Sequence, residues 1–146
     1  RQNPRSRYEH FNRSPLAGSL KAAGIGYEQL GEELGGRRTP SEDSPNRAWE
    51  DDAFRGYADH MASEEFAAGI ARLRELAATG RVAVMCAEAD WTQCHRRLIS
   101  DALVAQGDRV LHLGPDGSLA GHELNDAVVV DDERITYPAI QTSLDV

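Results

Sequence analysis

A chain of 146 residues with a formal net charge of −8 has the length of one domain around one core. It contains no apolar run near the roughly 20 residues that a membrane span needs, and its polar, basic opening Arg1–Arg13 does not read as a secretory leader. With two cysteines and no targeting segment the expected compartment is cytoplasmic, and an acidic chain of this kind argues against a duplex-DNA binder, which needs a basic face.

The charge is uneven. Residues 1–38 carry seven basic and four acidic side chains, whereas residues 39–146 carry nine and 20. The basic opening, residues 1–12, lacks apolar periodicity and reads as a loop. Ser14-Pro15 predicts a helix start, because serine caps free N–H groups and proline fits the first turn. Leu16, Leu20 and Ala23 give that helix an apolar face, and Gly24 ends it. Residues 25–30 read as a strand. Residues 31–46, rich in Gly, Pro, Ser and charge, read as a long loop of the kind that is either functional or disordered. Helices are predicted over 51–61 and 63–79, the second with a core stripe of Phe66, Ile70, Leu73 and Ala77.

Residues 81–86 are the clearest predicted strand: Val82, Ala83, Val84 and Met85 form the near-continuous apolar run of a strand covered on both faces. A helix follows over 92–106, with Leu98, Ile99, Ala102 and Leu103 facing the core, and then a strand over 109–113. Strand, helix and strand predict a parallel pair joined by a right-handed crossover. Gly114-Pro115-Asp116-Gly117 reads as a turn, and short segments at 128–130 and 135–137 flank Asp131-Asp132.

The chemistry-bearing residues concentrate between Cys86 and Arg96. Cys86 falls at the carboxyl end of the predicted strand, where open α/β sheets place ligands. Asp90 or Thr92 caps the next helix, and Asp90 with Gln93 fits a capping box. Cys94 then falls in the first helical turn, where the helix dipole with Arg96 and Arg97 favours a thiolate, opposed by Glu88 and Asp90. Four readings stay open: two inert core cysteines; a nucleophilic or acid–base site of Cys86, Glu88, Cys94 and His95; a metal site of Cys86, Cys94 and His95, without the paired CxxC spacing of zinc sites; and a redox pair. A cysteine phosphatase is excluded, because the sixth residue after Cys86 is Thr92 rather than arginine, and Glu88 and Asp90 would repel phosphate. Sulfur transfer stays open.

Glu88 is a candidate general base or nucleophile, or a solvated turn residue. His95 gains its claim from standing next to Cys94 and titrating near neutral pH. Trp91 either stacks on a flat ligand or packs over the helix start. Arg37 and Arg38 suit an anion clamp or are merely solvated. Arg55 is a second anion contact or a surface charge, and Tyr57 a core residue with a satisfied hydroxyl.

These residues resemble a bacterial family, domain of unknown function 488. The resemblance rests on Arg1-x-x-Pro4-x-Ser6-Arg7, Phe11-Asn12, Leu34-Gly35-Gly36-Arg37, Ala53-Phe54-Arg55-Gly56-Tyr57-Ala58, and Met85-Cys86-Ala87-Glu88 followed by Cys94-His95-Arg96. It implies a three-layer α/β/α fold with a mostly parallel sheet. It also implies that the Arg/Ser cluster and the Cys/Glu/Cys-His-Arg segment converge on one pocket. Members open with a strand, a helix and a second strand ending Asp-Val-Arg, so the resemblance places Arg1 at that arginine. It implies that the N-terminal strands lie outside this chain, leaving a sheet edge for more N-terminal chain or for a second copy in a homodimer to cover.

The resulting expectation is a single α/β domain over 1–146 that acts as a small enzyme on a small anionic or nucleotide-like substrate. Glu88 would serve as acid/base or nucleophile, assisted by Cys86, Cys94 and His95. Arg1, Arg5, Ser6, Arg7, Arg37, Arg55, Tyr57 and Arg96 would bind substrate, with no cofactor or metal. The rival class is a non-enzymatic metal-binding or ligand-sensing module. Single-stranded nucleic-acid binding through the basic arm and Trp91 is the weakest reading, given the net charge.

Overall fold

The chain, in a computed structural model, is described over residues 6–140. Local signals set most of its helices. Helix α1 (Arg13–Ala22) ends where Gly24 takes a φ of +73°, letting the Ile25 N–H reach back to the Leu20 carbonyl at 2.9 Å. Helix α2 (Gly31–Leu34) is a single turn. Helix α3 (Asp52–His60) starts at Asp51, whose carboxylate accepts from the N–H groups of Ala53 and Phe54 at 2.8 and 3.1 Å. Helix α4 (Glu64–Thr79) starts at Ser63, whose hydroxyl oxygen accepts from the Phe66 N–H at 3.2 Å. Helix α5 (Arg96–Ala105) completes the set.

The core lies where α3, α4 and α5 meet. Tyr57 and Ala58 come from α3, Phe66, Ile70 and Leu73 from α4, and Leu98, Ile99 and Ala102 from α5. Ala77, predicted to extend the α4 stripe, is exposed instead. Helix α2 lies tightly on α4: a Cβ at Gly69 would meet Leu34 Cγ at 2.7 Å.

The long loop is neither free nor featureless. The Asp59 carboxylate accepts from the Ser41 N–H at 2.9 Å, the Ser44 hydroxyl at 2.5 Å and the Asn46 amide at 2.7 Å. Asn46 Oδ1 in turn accepts from the Tyr137 N–H at 2.9 Å, and Trp49 stacks on Phe54.

The expected three-layer α/β/α fold with a mostly parallel sheet does not form. The described residues are helix-rich, with two antiparallel two-stranded hairpins, β1 (Leu111–Leu113) with β2 (Leu119–Gly121) and β3 (Val129–Asp131) with β4 (Arg134–Thr136). Residues 81–86 and 25–30 form no strand, and Val82, Val84 and Met85 are exposed. An apolar run becomes a strand only when a neighbour completes its backbone hydrogen bonds, and among the described residues none pairs with this one. The predicted partner, 109–113, pairs instead across the adjacent turn, with Leu111 opposite Gly121 and Leu113 opposite Leu119. Closing a short local loop costs less chain entropy than a crossover. The short segments around Asp131-Asp132 do form, as β3 and β4.

Candidate functional site

The segment after residue 86 folds through a side-chain cap. The Asp90 carboxylate accepts from the Thr92 N–H at 2.9 Å and the Thr92 hydroxyl at 2.7 Å, opening a 3₁₀ turn over Trp91–Gln93. Cys94 follows in extended backbone (φ −142°, ψ 170°), and α5 begins at Arg96. Cys94 is therefore not in the first turn of a helix running over 92–106, because the cap spends itself on the separate 3₁₀ turn. The helix-dipole argument for its thiolate falls with that placement.

What the turn does achieve is convergence. The sulfurs of Cys86 and Cys94 and a ring nitrogen of His95 all lie within 4.8 Å of one another. Cys86 is half-buried and Cys94 is buried. The Cys86 thiol is pulled down to about 3, first by the hydrogen bond from the Cys94 thiol. Burial opposes this, while the His95 ring, the Glu88 backbone N–H and the field of His95 add to it. Cys94 moves the other way, raised by that same bond to Cys86 and by burial, although the Arg96 Nε–H donates to its sulfur at 3.1 Å. The two thiols therefore titrate as a pair, Cys86 shifted down and Cys94 up, while the Cys94 thiol also reaches the Trp91 carbonyl at 3.8 Å.

A second layer fixes the imidazole. The ring of Tyr57 lies 5.2 Å from that of His95, and its hydroxyl donates to the Leu34 carbonyl at 2.7 Å. Burial raises the Tyr57 phenol above its ordinary range, so it stays a neutral donor. The buried Gly36 backbone abuts the ring: a Cβ there would lie 2.7 Å from His95 Nδ1. Arg38 staples this loop by donating to the carbonyls of Gly35, at 3.1 Å, and Glu32.

The remaining sequence-predicted residues divide. Arg96 belongs to the cluster, donating to Cys94 Sγ and to the carbonyl of Glu88. Glu88 contributes its backbone N–H and carbonyl, and the residue itself is exposed. Arg37 is exposed with a φ of +65°, beside the Gly36–His95 contact. Arg55 is occupied elsewhere, pairing with Asp52 and donating to the Trp49 carbonyl at 3.3 Å. Ser6 ties its own turn, its N–H donating to Asn12 Oδ1 at 2.8 Å and its hydroxyl oxygen accepting from the Tyr8 N–H, and Arg7 is exposed. Arg1 and Arg5 lie outside the described residues. Trp91 packs its indole on the His112 ring.

Asp101, His112 and His122 escaped the sequence reading, and the role of Gly36 did too. Gly36 was legible only as part of a glycine pair. Asp101 carried a clearer signal, a carboxylate set into the apolar face Leu98-Ile99-Ala102 of α5, and it is fully buried.

The model of the family described as Domain of unknown function DUF488 matches residues 1–103. No curated protein and no solved structure matches the chain.

Proposed function

The chain belongs to the DUF488 family, and from that premise we propose that it is a small enzyme whose nucleophile is the Cys86 thiolate. The observation that carries this reading is the convergence of the half-buried Cys86 sulfur with the Cys94 thiol and a His95 ring nitrogen, all within 4.8 Å, in surroundings that pull the Cys86 thiol down. A merely structural cysteine behaves as a small hydrophobe, whereas an activated one has a lowered pKa and a partly open position. Cys86 attacks an electrophilic carbon as the bond from that carbon to its leaving group breaks, and the Cys94 thiol or His95 protonates the leaving group. Water then releases the bound product and regenerates the thiolate, and Arg37 binds the anionic arm of a small or nucleotide-like substrate.

The test is the rate of iodoacetamide labelling at Cys86 as a function of pH, together with metabolite depletion by wild type against the Cys86→Ser and Glu88→Gln variants. The expected labelling rate is flat from about pH 5 to 8. The expected depletion is lost in Cys86→Ser and kept in Glu88→Gln, because Glu88 acts through its backbone. A labelling rate that climbs towards an ordinary thiol pKa sinks the reading.

A second reading has its own observation. Two thiols and an imidazole within 4.8 Å match the donor types of a zinc site that keeps an open position. Elemental analysis of protein purified without added metal separates the two, since about one zinc per chain supports a metal-binding module.

A further inference from the structure

Apart from the thiol cluster, a buried carboxylate and two imidazoles stand in line. Asp101 and His122 are almost wholly buried, with side-chain exposures of 0% and 1%. Asp101 Oδ1 accepts from the Asn125 backbone N–H at 3.1 Å and lies 2.8 Å from His122 Nε2. Its Oδ2 accepts from the Tyr137 hydroxyl at 2.8 Å. His122 Nδ1 lies 2.8 Å from His112 Nε2, and the His112 ring lies flat on Trp91, with centroids 3.6 Å apart and planes 3° from parallel.

With both rings neutral, these contacts admit one placement of the hydrogens. A backbone N–H only donates, so Oδ1 is an acceptor and His122 Nε2 carries the hydrogen between them. Neutral His122 then has its lone pair on Nδ1, which accepts from the His112 Nε2–H. His112 Nδ1 is left with a lone pair, on a half-buried residue. The whole line points one way, from His112 inward to the carboxylate. Burying a carboxylate costs several kcal/mol unless its charge is compensated, and here the Asn125 N–H, the Tyr137 hydroxyl and the His122 Nε2–H hydrogen-bond it.

We infer that Asp101, His122 and His112 form an oriented proton relay that makes His112 Nδ1 a general base for hydrolysis of a small acyl ester, at a site separate from the Cys86 thiolate. His112 Nδ1 takes a proton from water as the water oxygen bonds to the acyl carbon. As the acyl–oxygen bond breaks, Nδ1 returns that proton to the departing alkoxide, so acid and alcohol leave and the relay is unchanged. The groups facing His112 are His122, the guanidinium of Arg96 and the indole of Trp91. Burial first, then His122 and Arg96, hold the ring below the ordinary histidine range, so it is neutral and able to accept near pH 7.

The experiment uses 4-nitrophenyl acetate at about pH 7.5 in a Cys86→Ser background, which removes the thiolate from the readout. His112→Ala is expected to lower the hydrolysis rate about tenfold or more, and His10→Ala, at an exposed histidine, to leave it unchanged. A rate unaffected by His112→Ala overturns the proposal, whatever Cys86 labelling shows. Because Asp101 variants risk misfolding, the relay itself is read in the wild-type chain by long-range proton–nitrogen NMR of the imidazoles. Both rings are expected as Nε2–H tautomers, with His112 taking its added proton at Nδ1. An Nδ1–H tautomer at either ring also overturns it.

Discussion

Gly36 and His95 meet so closely that position 36 has no room for a side chain, since a Cβ there would lie 2.7 Å from the imidazole Nδ1. The ring cannot simply retreat, because Tyr57 packs 5.2 Å from it. Gly36→Ala is therefore expected to cost about 1–3 kcal/mol in urea unfolding. It should also slow iodoacetamide labelling of Cys86 at acidic pH, by moving a donor off the thiolate. Wild-type labelling in a folded Gly36→Ala protein would show that His95 does not hold Cys86.

The lowered Cys86 thiol ties stability to pH. Cys86 in the folded chain sits near 3, far below the ordinary thiol value of 9.0. A group lowered in this way contributes stability that is fully present above pH 9.0 and is lost as pH falls through about 3. Cys94 is raised, so its contribution is present below the same 9.0 and is lost at more alkaline pH. Between about pH 4 and 8, Cys86→Ser is expected to flatten the rise of unfolding free energy with pH. Equal slopes in wild type and variant, measured by urea titration at several pH values, would contradict the thiolate.

Asp59 ties the long loop to α3, and that tie should fail in acid. Burial pushes its carboxyl up, but hydrogen bonds from Ser44, Asn46 and Ser41 outweigh it and hold the group below its ordinary value of 3.8. Its stabilising contribution is present above pH 3.8 and disappears as pH falls further. Asp59→Asn should raise hydrogen exchange at the Ser41 amide, whose acceptor it weakens, and should reduce the acid sensitivity of the loop. Unchanged protection at Ser41 would count against the tie.

Two core substitutions separate packing from the site. Tyr57→Phe leaves the Leu34 carbonyl without its 2.7 Å donor and is expected to cost about 1–3 kcal/mol while Cys86 labelling persists. Leu98→Ala, at a residue with no exposure, should cost about 2–5 kcal/mol in the same unfolding assay. A Leu98→Ala cost below about 1 kcal/mol would place Leu98 outside the core described here.

The sequence by itself determined α1, α3, α4, the body of α5 and the address of the thiol cluster, but not α2 or the 3₁₀ turn before α5. Asp51, Ser63 and Gly24 start or stop helices through hydrogen bonds to backbone a few residues away, and the stripes Phe66-Ile70-Leu73 and Leu98-Ile99-Ala102 follow from helical periodicity. Such signals are local, so residue order suffices to carry them. Tertiary structure decided the rest. Whether 81–86 becomes a strand depends on a neighbour to hydrogen-bond with, which an apolar run cannot specify. The contact of Gly36 with His95 and the line Asp101–His122–His112 bring together residues far apart in the chain. No spacing rule encodes them; only the packing of α5 against the hairpins and of the long loop against α3 sets those distances.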